Sequence, residues 1–158
     1  MKLIITDIDG VLTNGQVTID KHGNETKTIC YRDLDAINIG RRAGYEFAFV
    51  TGEDSPMTHL LAQRFTVDRL YTGVKDKLTA IRSISIELDI PLNNLLYIGD
   101  SDRDVPALAI VGLAIVPYDA TPSAKKASHL ITQCKGGYGV LLEVINKLQA
   151  EEWKYPNS

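Results

Sequence analysis

Cysteine is scarce in this 158-residue chain: Cys30 and Cys134 are the only two, too few for a disulfide framework and without the Cys-x-x-Cys spacing of a zinc site. Neither is followed six positions on by the arginine that a cysteine-based phosphatase loop requires; Ala36 and Val140 stand there. A strong excess of either charge is missing too. The formal net charge of −3 and a pI near 5.6 argue against a surface built to track nucleic acid or anionic lipid. No apolar run is long. The longest, Ala107 to Val116, lies between two prolines and falls far short of the roughly 20 residues of a membrane helix. Met1 and Lys2 lead straight into Leu3, Ile4 and Ile5 and then acidic residues, with no signal core, so the sequence predicts a cytoplasmic location.

What is present is 44% apolar and 23% charged residues, enough for one folded core. The chain reads as a single domain over 1–150, followed by a tail at 151–158 that looks detachable. Short β-rich runs alternate with helical-period segments, the signature of βα units on a parallel sheet. Strands are expected at Leu3–Ile8, Phe47–Val50, Arg69–Tyr71, Leu95–Ile98 and Leu113–Val116, and a weak one ends at Ile131. Helices are expected at Leu34–Ala43, from Ser55-Pro56 onward, at Asp76–Leu88, near Val105–Ile110, and at Val140–Leu148. Residues 16–30 break the rhythm and read as a β-hairpin flap around His22-Gly23-Asn24, inserted after strand one.

In an open parallel sheet the ligand crevice lies beyond the carboxyl ends of the strands, so the first residues after each apolar run carry the chemistry. Strand one empties into Asp7-Ile8-Asp9-Gly10, the second long strand into Thr51-Gly52, the short strand is followed by Lys77, and the fourth ends at Gly99-Asp100 with Asp104 beyond. That many carboxylates together raise one another's pKa values unless a cation sits among them. Mg²⁺, bound by oxygen ligands, solves the problem and leaves positions for a phosphate. Asp7 is then the candidate nucleophile, forming an aspartyl-phosphate. Asp9, two residues on, is the acid/base. Gly10 permits a sharp turn beside the phosphate, Thr51 and Lys77 hold phosphoryl oxygens, and Asp100 completes the metal site. Asp104 either ligates through water or holds Lys77.

Competing motifs fall on inspection. A calcium loop starting at Asp100 needs glycine sixth and glutamate twelfth, where Val105 and Val111 stand. Lys21-His22-Gly23 only faintly matches a histidine-nucleophile motif and reads as a turn, and His59 and His129 are isolated. Lys135-Gly136-Gly137-Tyr138-Gly139 before a helix is either an anion cradle or a plain glycine turn.

The ordered set Asp7-Ile8-Asp9-Gly10-Val11-Leu12-Thr13, Thr51-Gly52, Asp76-Lys77 and Gly99-Asp100 resembles the four motifs of haloacid dehalogenase superfamily phosphatases. With the early hairpin and the late Gly136-Gly137-Tyr138-Gly139, the chain is similar to the small capless branch that acts on 3-deoxy-manno-octulosonate 8-phosphate or nonulosonate 9-phosphate. The resemblance implies a Rossmann-like α/β parallel sheet with helices on both faces and no cap domain. It also implies Mg²⁺-dependent hydrolysis of a phosphorylated 2-keto-3-deoxy sugar acid, in a homotetramer whose subunits complete one another's sites. It assigns metal binding to Asp7, Asp100 and the backbone carbonyl of Asp9, and substrate contacts to Gly10, Thr51, Gly52, Glu53 and Lys77.

The chain departs from that pattern at several positions. Glu53 stands where the octulosonate enzymes carry arginine and the nonulosonate enzymes glutamate. Leu61 and Tyr138 replace arginines, Arg64 lies one turn from Leu61, Asp33-Leu34 replaces Asp-Gly, and Ser101 replaces a second aspartate. Two lost arginines mean two lost forks for a substrate carboxylate, so a broad-specificity phosphatase is an alternative. A second alternative is a signalling domain that keeps the phosphoryl group, although such a domain has no need of an acid/base at Asp9.

Overall fold

The computed structural model describes residues 2–156. Strand β1 (Lys2–Thr6) is followed by the flap strands β2 (Thr18–Ile19) and β3 (Glu25–Thr26). Then come α1 (Tyr31–Arg42), β4 (Tyr45–Val50), α2 (Pro56–Phe65), β5 (Arg69–Tyr71) and α3 (Lys77–Glu87). The chain closes with β6 (Leu96–Ile98), α4 (Val105–Leu108), β7 (Leu113–Val116), α5 (Pro122–Ala127), β8 (Leu130–Ile131) and α6 (Val140–Gln149).

Six strands form one sheet in the order β5-β4-β1-β6-β7-β8, and every neighbouring pair is parallel. The chain winds outward from β1 in one direction, returns, and winds outward in the other, so the topological switch falls between β1 and β6. Two apolar clusters, one on each face, bury the alternate residues of the central strands: Ile4, Phe47, Leu96 and Ile115 on one side, Leu3, Ile5, Ala48 and Tyr97 on the other. Among the described residues no cap domain is inserted, and no helix is long and apolar enough to cross a membrane.

The helix signals act as expected. Ser55 accepts the amide of Thr58 and Pro56 takes the first position of α2. Asp76 accepts the Thr79 amide and hydroxyl at 3.2 and 2.7 Å and so caps α3, which leaves Lys77 as its first residue.

Three expectations need correction. The flap at 16–30 is a hairpin, but its ladder is only two residue pairs, Thr18 with Thr26 and Ile19 with Glu25, closed by a turn in which the Asp20 carboxylate accepts the amides of His22 and Asn24. Helix α1 begins at Tyr31 rather than Leu34, and Asp33, in its first turn, is fully buried because it accepts the Leu142 amide at the start of α6. Gly139, which precedes that helix, has no side chain to cap it, so Asp33 supplies the acceptor from another element.

The segment after Ala150 is not detachable as far as it is described. The Tyr155 hydroxyl accepts from the Leu3 amide at 2.7 Å and donates to the Leu3 carbonyl at 2.9 Å, and its ring lies 5.8 Å from that of Tyr45. The last two residues of the expected tail, 157 and 158, lie outside the described residues.

Candidate active site

A crevice of about 700 Å³ opens where β1 and β6 diverge, lined among others by Asp7, Asp9, Thr51, Gly52, Glu53, Lys77 and Asp100. The motif residues therefore meet although they come from four separate stretches of chain. Asp7 follows directly on β1, Thr51 on β4, and Asp100 lies two residues past β6.

Lys77 sits at the centre of the charge pattern. Its ammonium lies 3.0 Å from Asp7 Oδ2 and 3.4 Å from Asp104 Oδ1, and donates to the Val50 carbonyl at 2.7 Å. With a side chain only 3% exposed it is a fixed cation rather than a solvated surface lysine. Asp104 is the more distant of its two carboxylates and is itself firmly held. One Asp104 oxygen accepts the Tyr97 hydroxyl at 2.5 Å, and the other accepts the amides of Asp100 and Ser101 and the Ser101 hydroxyl, each at 3.0 Å.

The electrostatics follow from burial. Desolvation pushes Asp7 up to about 6, with Lys77 opposing the shift and Asp104 adding to it. Desolvation, reinforced by Asp104 and Asp7, pushes Asp100 up to about 7. Burial also works against the charge of Asp104, yet Lys77, Tyr97 and the loop amides outweigh it and hold that carboxyl below its ordinary range.

Oxygens of Asp7, Asp100 and Asp104 all lie within 4.8 Å of one another, the spacing of a metal site. The donors already on both Asp104 oxygens leave Asp7 and Asp100 as the carboxylates for an ion, with the Asp9 carbonyl as the third expected protein ligand. Two carboxyls pushed up first by burial and then by the charge of neighbouring carboxylates are the environment that a hard divalent cation relieves, so the residues fit Mg²⁺.

Asp9 points away from this pair. Its carboxylate accepts the Thr13 hydroxyl at 3.1 Å and the Lys27 ammonium at 2.8 Å. Lys27 also pairs with Glu53. Gly10 carries φ +85°, and a Cβ there would lie 1.9 Å from an Asp100 oxygen; its amide donates to Thr13 Oγ1. Its absence of a side chain thus lets the two motif loops touch, and Gly10 is not among the residues that line the crevice. Thr51 is buried, and its hydroxyl faces the Glu53 amide at 3.4 Å.

Sequence reasoning missed three cations. Lys27 comes from the flap, and Lys75 and Arg103 line the crevice. The excess of carboxylates over the single expected lysine was the signal that more were needed. The glycine loop proves to be a turn: Gly136 donates to Asp119 and Gly137 to the Val11 carbonyl, so these amides are not free to cradle an anion. A Cβ on Gly136 would lie 2.0 Å from the Gly10 carbonyl, which makes the loop a brace behind Asp9-Gly10. Leu61 is core and Tyr138 is exposed, so neither restores a lost arginine, while Arg64 bonds to the Tyr31 hydroxyl at 2.8 Å on the surface. His129 accepts the Ala114 amide at 2.9 Å, a packing role.

Residues 62–144 match the family model of the haloacid dehalogenase-like hydrolases. The 3-deoxy-D-manno-octulosonate 8-phosphate phosphatase of Yersinia pestis is 32% identical over 144 residues, 91% of this chain and 77% of that protein. The chain belongs to the haloacid dehalogenase-like hydrolases. The Escherichia coli phosphatase of the same name is 30% identical over 98% of this chain and 82% of its own length. Among solved structures of such hydrolases, the Moraxella catarrhalis octulosonate phosphatase in complex with magnesium, phosphate and KDO superposes with TM-score 0.87 at 30% identity. That match covers 96% of this chain and 91% of the other. A putative superfamily hydrolase from Legionella pneumophila reaches TM-score 0.90 at 29% identity, covering 96% and 84%.

Proposed function

We propose that this hydrolase is a Mg²⁺-dependent phosphatase that cleaves the phosphate monoester of a 2-keto-3-deoxy sugar acid, of the octulosonate 8-phosphate or nonulosonate 9-phosphate type. The observation that carries the reading is the convergence of Asp7, Lys77 and Asp100 on one side of the crevice with Asp9 on the other. The names of the similar phosphatases, and the magnesium, phosphate and sugar acid in the Moraxella complex, support it.

Asp7 is placed to attack phosphorus as a carboxylate, forming an acyl-phosphate while the P–O bond to the sugar breaks. Its oxygens are oriented by the Ile8 amide at 2.7 Å and by Lys77. Lys77 and the Thr51 hydroxyl offset charge on the phosphoryl oxygens. Asp9 delivers a proton to the departing alkoxide and then takes one from the water that hydrolyses the acyl-phosphate. When bound between Asp7 and Asp100, Mg²⁺ supplies charge neutralisation and polarises the phosphoryl group.

The crevice is open, and an open site binds the leaving group poorly. A homotetramer in which a neighbouring copy covers the crevice answers that need, in a cytoplasmic setting. The flap offers Val17 and Ile19, 43% and 61% exposed, as contact residues. The Gly136–Gly139 loop and Tyr155 are committed to their own chain and are poor candidates for closing a neighbour's site.

Glu53 in place of arginine favours the nine-carbon acid, while the loss of arginine at Leu61 and Tyr138 favours broader specificity. The deciding experiment is a phosphate-release screen with Mg²⁺ over octulosonate, nonulosonate and ordinary sugar phosphates. Turnover confined to sugar-acid esters, abolished by Asp7→Asn and by chelation, is expected. Comparable efficiency across unrelated esters would favour the broad enzyme, and a single stoichiometric phosphorylation without turnover would favour the signalling domain.

A further inference from the structure

The flap carries a lysine that none of the four motifs contains. Lys27 lies one residue beyond β3, its side chain only 9% exposed, donating to Asp9 Oδ2 at 2.8 Å and pairing with Glu53. A ladder of two residue pairs does not by itself hold a lysine inward, because such a short hairpin is marginal in water. The two carboxylates hold it. In return, Asp9 and Glu53 have no other ion-pair partner among the described residues.

The two oxygens of Asp9 are held from different places. Oδ1 takes the Thr13 hydroxyl at 3.1 Å, within its own turn, and Oδ2 takes Lys27 from the flap. With Thr13 alone the carboxyl plane is free to swing, since the terminal torsion of an aspartate is broad. Among the described residues, no hydrogen bond or ion pair of Asp7, Lys77 or Asp104 involves Lys27, so the group that attacks phosphorus is positioned independently.

We propose that Lys27 is a positioning residue that fixes Asp9 and Glu53 in one arrangement on the leaving-group side of the crevice. Its removal therefore misaims proton delivery to the departing oxygen while leaving the attack by Asp7 intact. This inference rests on the phosphatase reading above. It separates Lys27 from a merely structural lysine, because the size of its effect depends on how much the leaving group needs a proton. A sugar alkoxide needs one; p-nitrophenolate departs without it.

The test compares kcat/KM for a sugar phosphate ester and for p-nitrophenyl phosphate in Mg²⁺-loaded wild type, Lys27→Met and Lys27→Arg. The parameter reports steps through the first P–O cleavage. Lys27→Met is expected to lose about 10- to 100-fold on the sugar ester and less than about threefold on the aryl ester, part of the 10²–10⁴ that acid–base catalysis supplies. Lys27→Arg is expected to recover most of the loss. In an Asp9→Asn background, Lys27→Met is expected to cost nothing further on either ester. If the Met variant lacks a melting transition, Lys27→Gln is read in its place. Equal losses on both esters, or full additivity with Asp9→Asn, would overturn the assignment while leaving the phosphatase reading standing. Wild type hydrolysing neither ester would overturn both.

Discussion

Gly10 and Asp100 touch: a single methyl carbon added to Gly10 would sit 1.9 Å from the Asp100 carboxylate. The loop that follows Asp7 and the loop that carries Asp100 are thus packed to the limit that glycine permits. Gly10→Ala is expected to displace Asp100 and to strain a backbone held at φ +85°, at about 1 kcal/mol for the backbone alone. Activity should fall at least about 100-fold with a raised Mg²⁺ requirement, read from a magnesium titration of the initial rate. An unchanged titration would show that Asp100 is not where the ion binds.

Tyr97→Phe removes the 2.5 Å hydrogen bond to Asp104 inside the sheet and leaves that buried carboxylate one donor short. A loss of about 1–3 kcal/mol in urea unfolding is expected. Lys77 also loses its 3.3 Å bond to that hydroxyl but keeps the Val50 carbonyl and Asp7, so the effect on kcat should stay below about tenfold.

Asp33 gives a pH signature. Burial pushes its carboxyl up to about 6 from 3.8, against the pull of the α6 amides, so the folded state binds the proton more tightly than the unfolded state. The stabilising contribution is complete below the unfolded pKa and is lost as pH rises through 6. Asp33→Asn keeps an acceptor for the Leu142 amide and removes the titration. Relative to wild type its stability should improve by up to about 3 kcal/mol between pH 3.5 and 7.5. Parallel stability curves for the two proteins would refute the assignment.

Arg103 lines the crevice and, like Lys75, makes no ion pair among the described residues. If the substrate carboxylate is held there, Arg103→Ala raises KM for sugar-acid phosphates by about 3- to 10-fold at little cost in kcat. KM for a sugar phosphate without a carboxylate should not move. Steady-state kinetics on the two substrate types decides between this and a purely solvated arginine.

Tyr155 binds both backbone groups of Leu3, four residues before Asp7 and at the opposite end of β1, about 13 Å away along the strand. Tyr155→Ala is expected to cost about 3–5 kcal/mol in denaturation while leaving kcat unchanged at a temperature where the protein is folded.

The candidate site was legible because a parallel sheet gathers the residues that follow its strands at one edge, and Asp7, Thr51 and Asp100 do so whatever their neighbours. Lys77 was legible because it follows the short strand β5. Lys27 was not, since it meets Asp9 across 18 residues and Glu53 across 26 from a position just beyond a hairpin ladder of two residue pairs. Tyr155 was hidden for another reason: a polar, proline-bearing segment has the composition of a loose end, and one aromatic ring is enough to dock it. The Gly136-Gly137 pair left two readings open, because glycine that permits close approach to an anion permits close approach to a backbone carbonyl equally well.

The central place of β1, with β4 and β6 hydrogen-bonded on either side, has a consequence for timescales. Amides of Ile4 to Thr6 are expected to exchange with solvent deuterium only when the sheet opens, whereas those of a flap whose ladder is two residue pairs are expected to exchange through local opening. Asp7 therefore follows a strand expected to open only with the sheet, while Lys27, beside Asp9, sits in a segment expected to open locally. Substitutions in the flap can alter which leaving group is accepted without disturbing the strand on which the phosphorus chemistry depends.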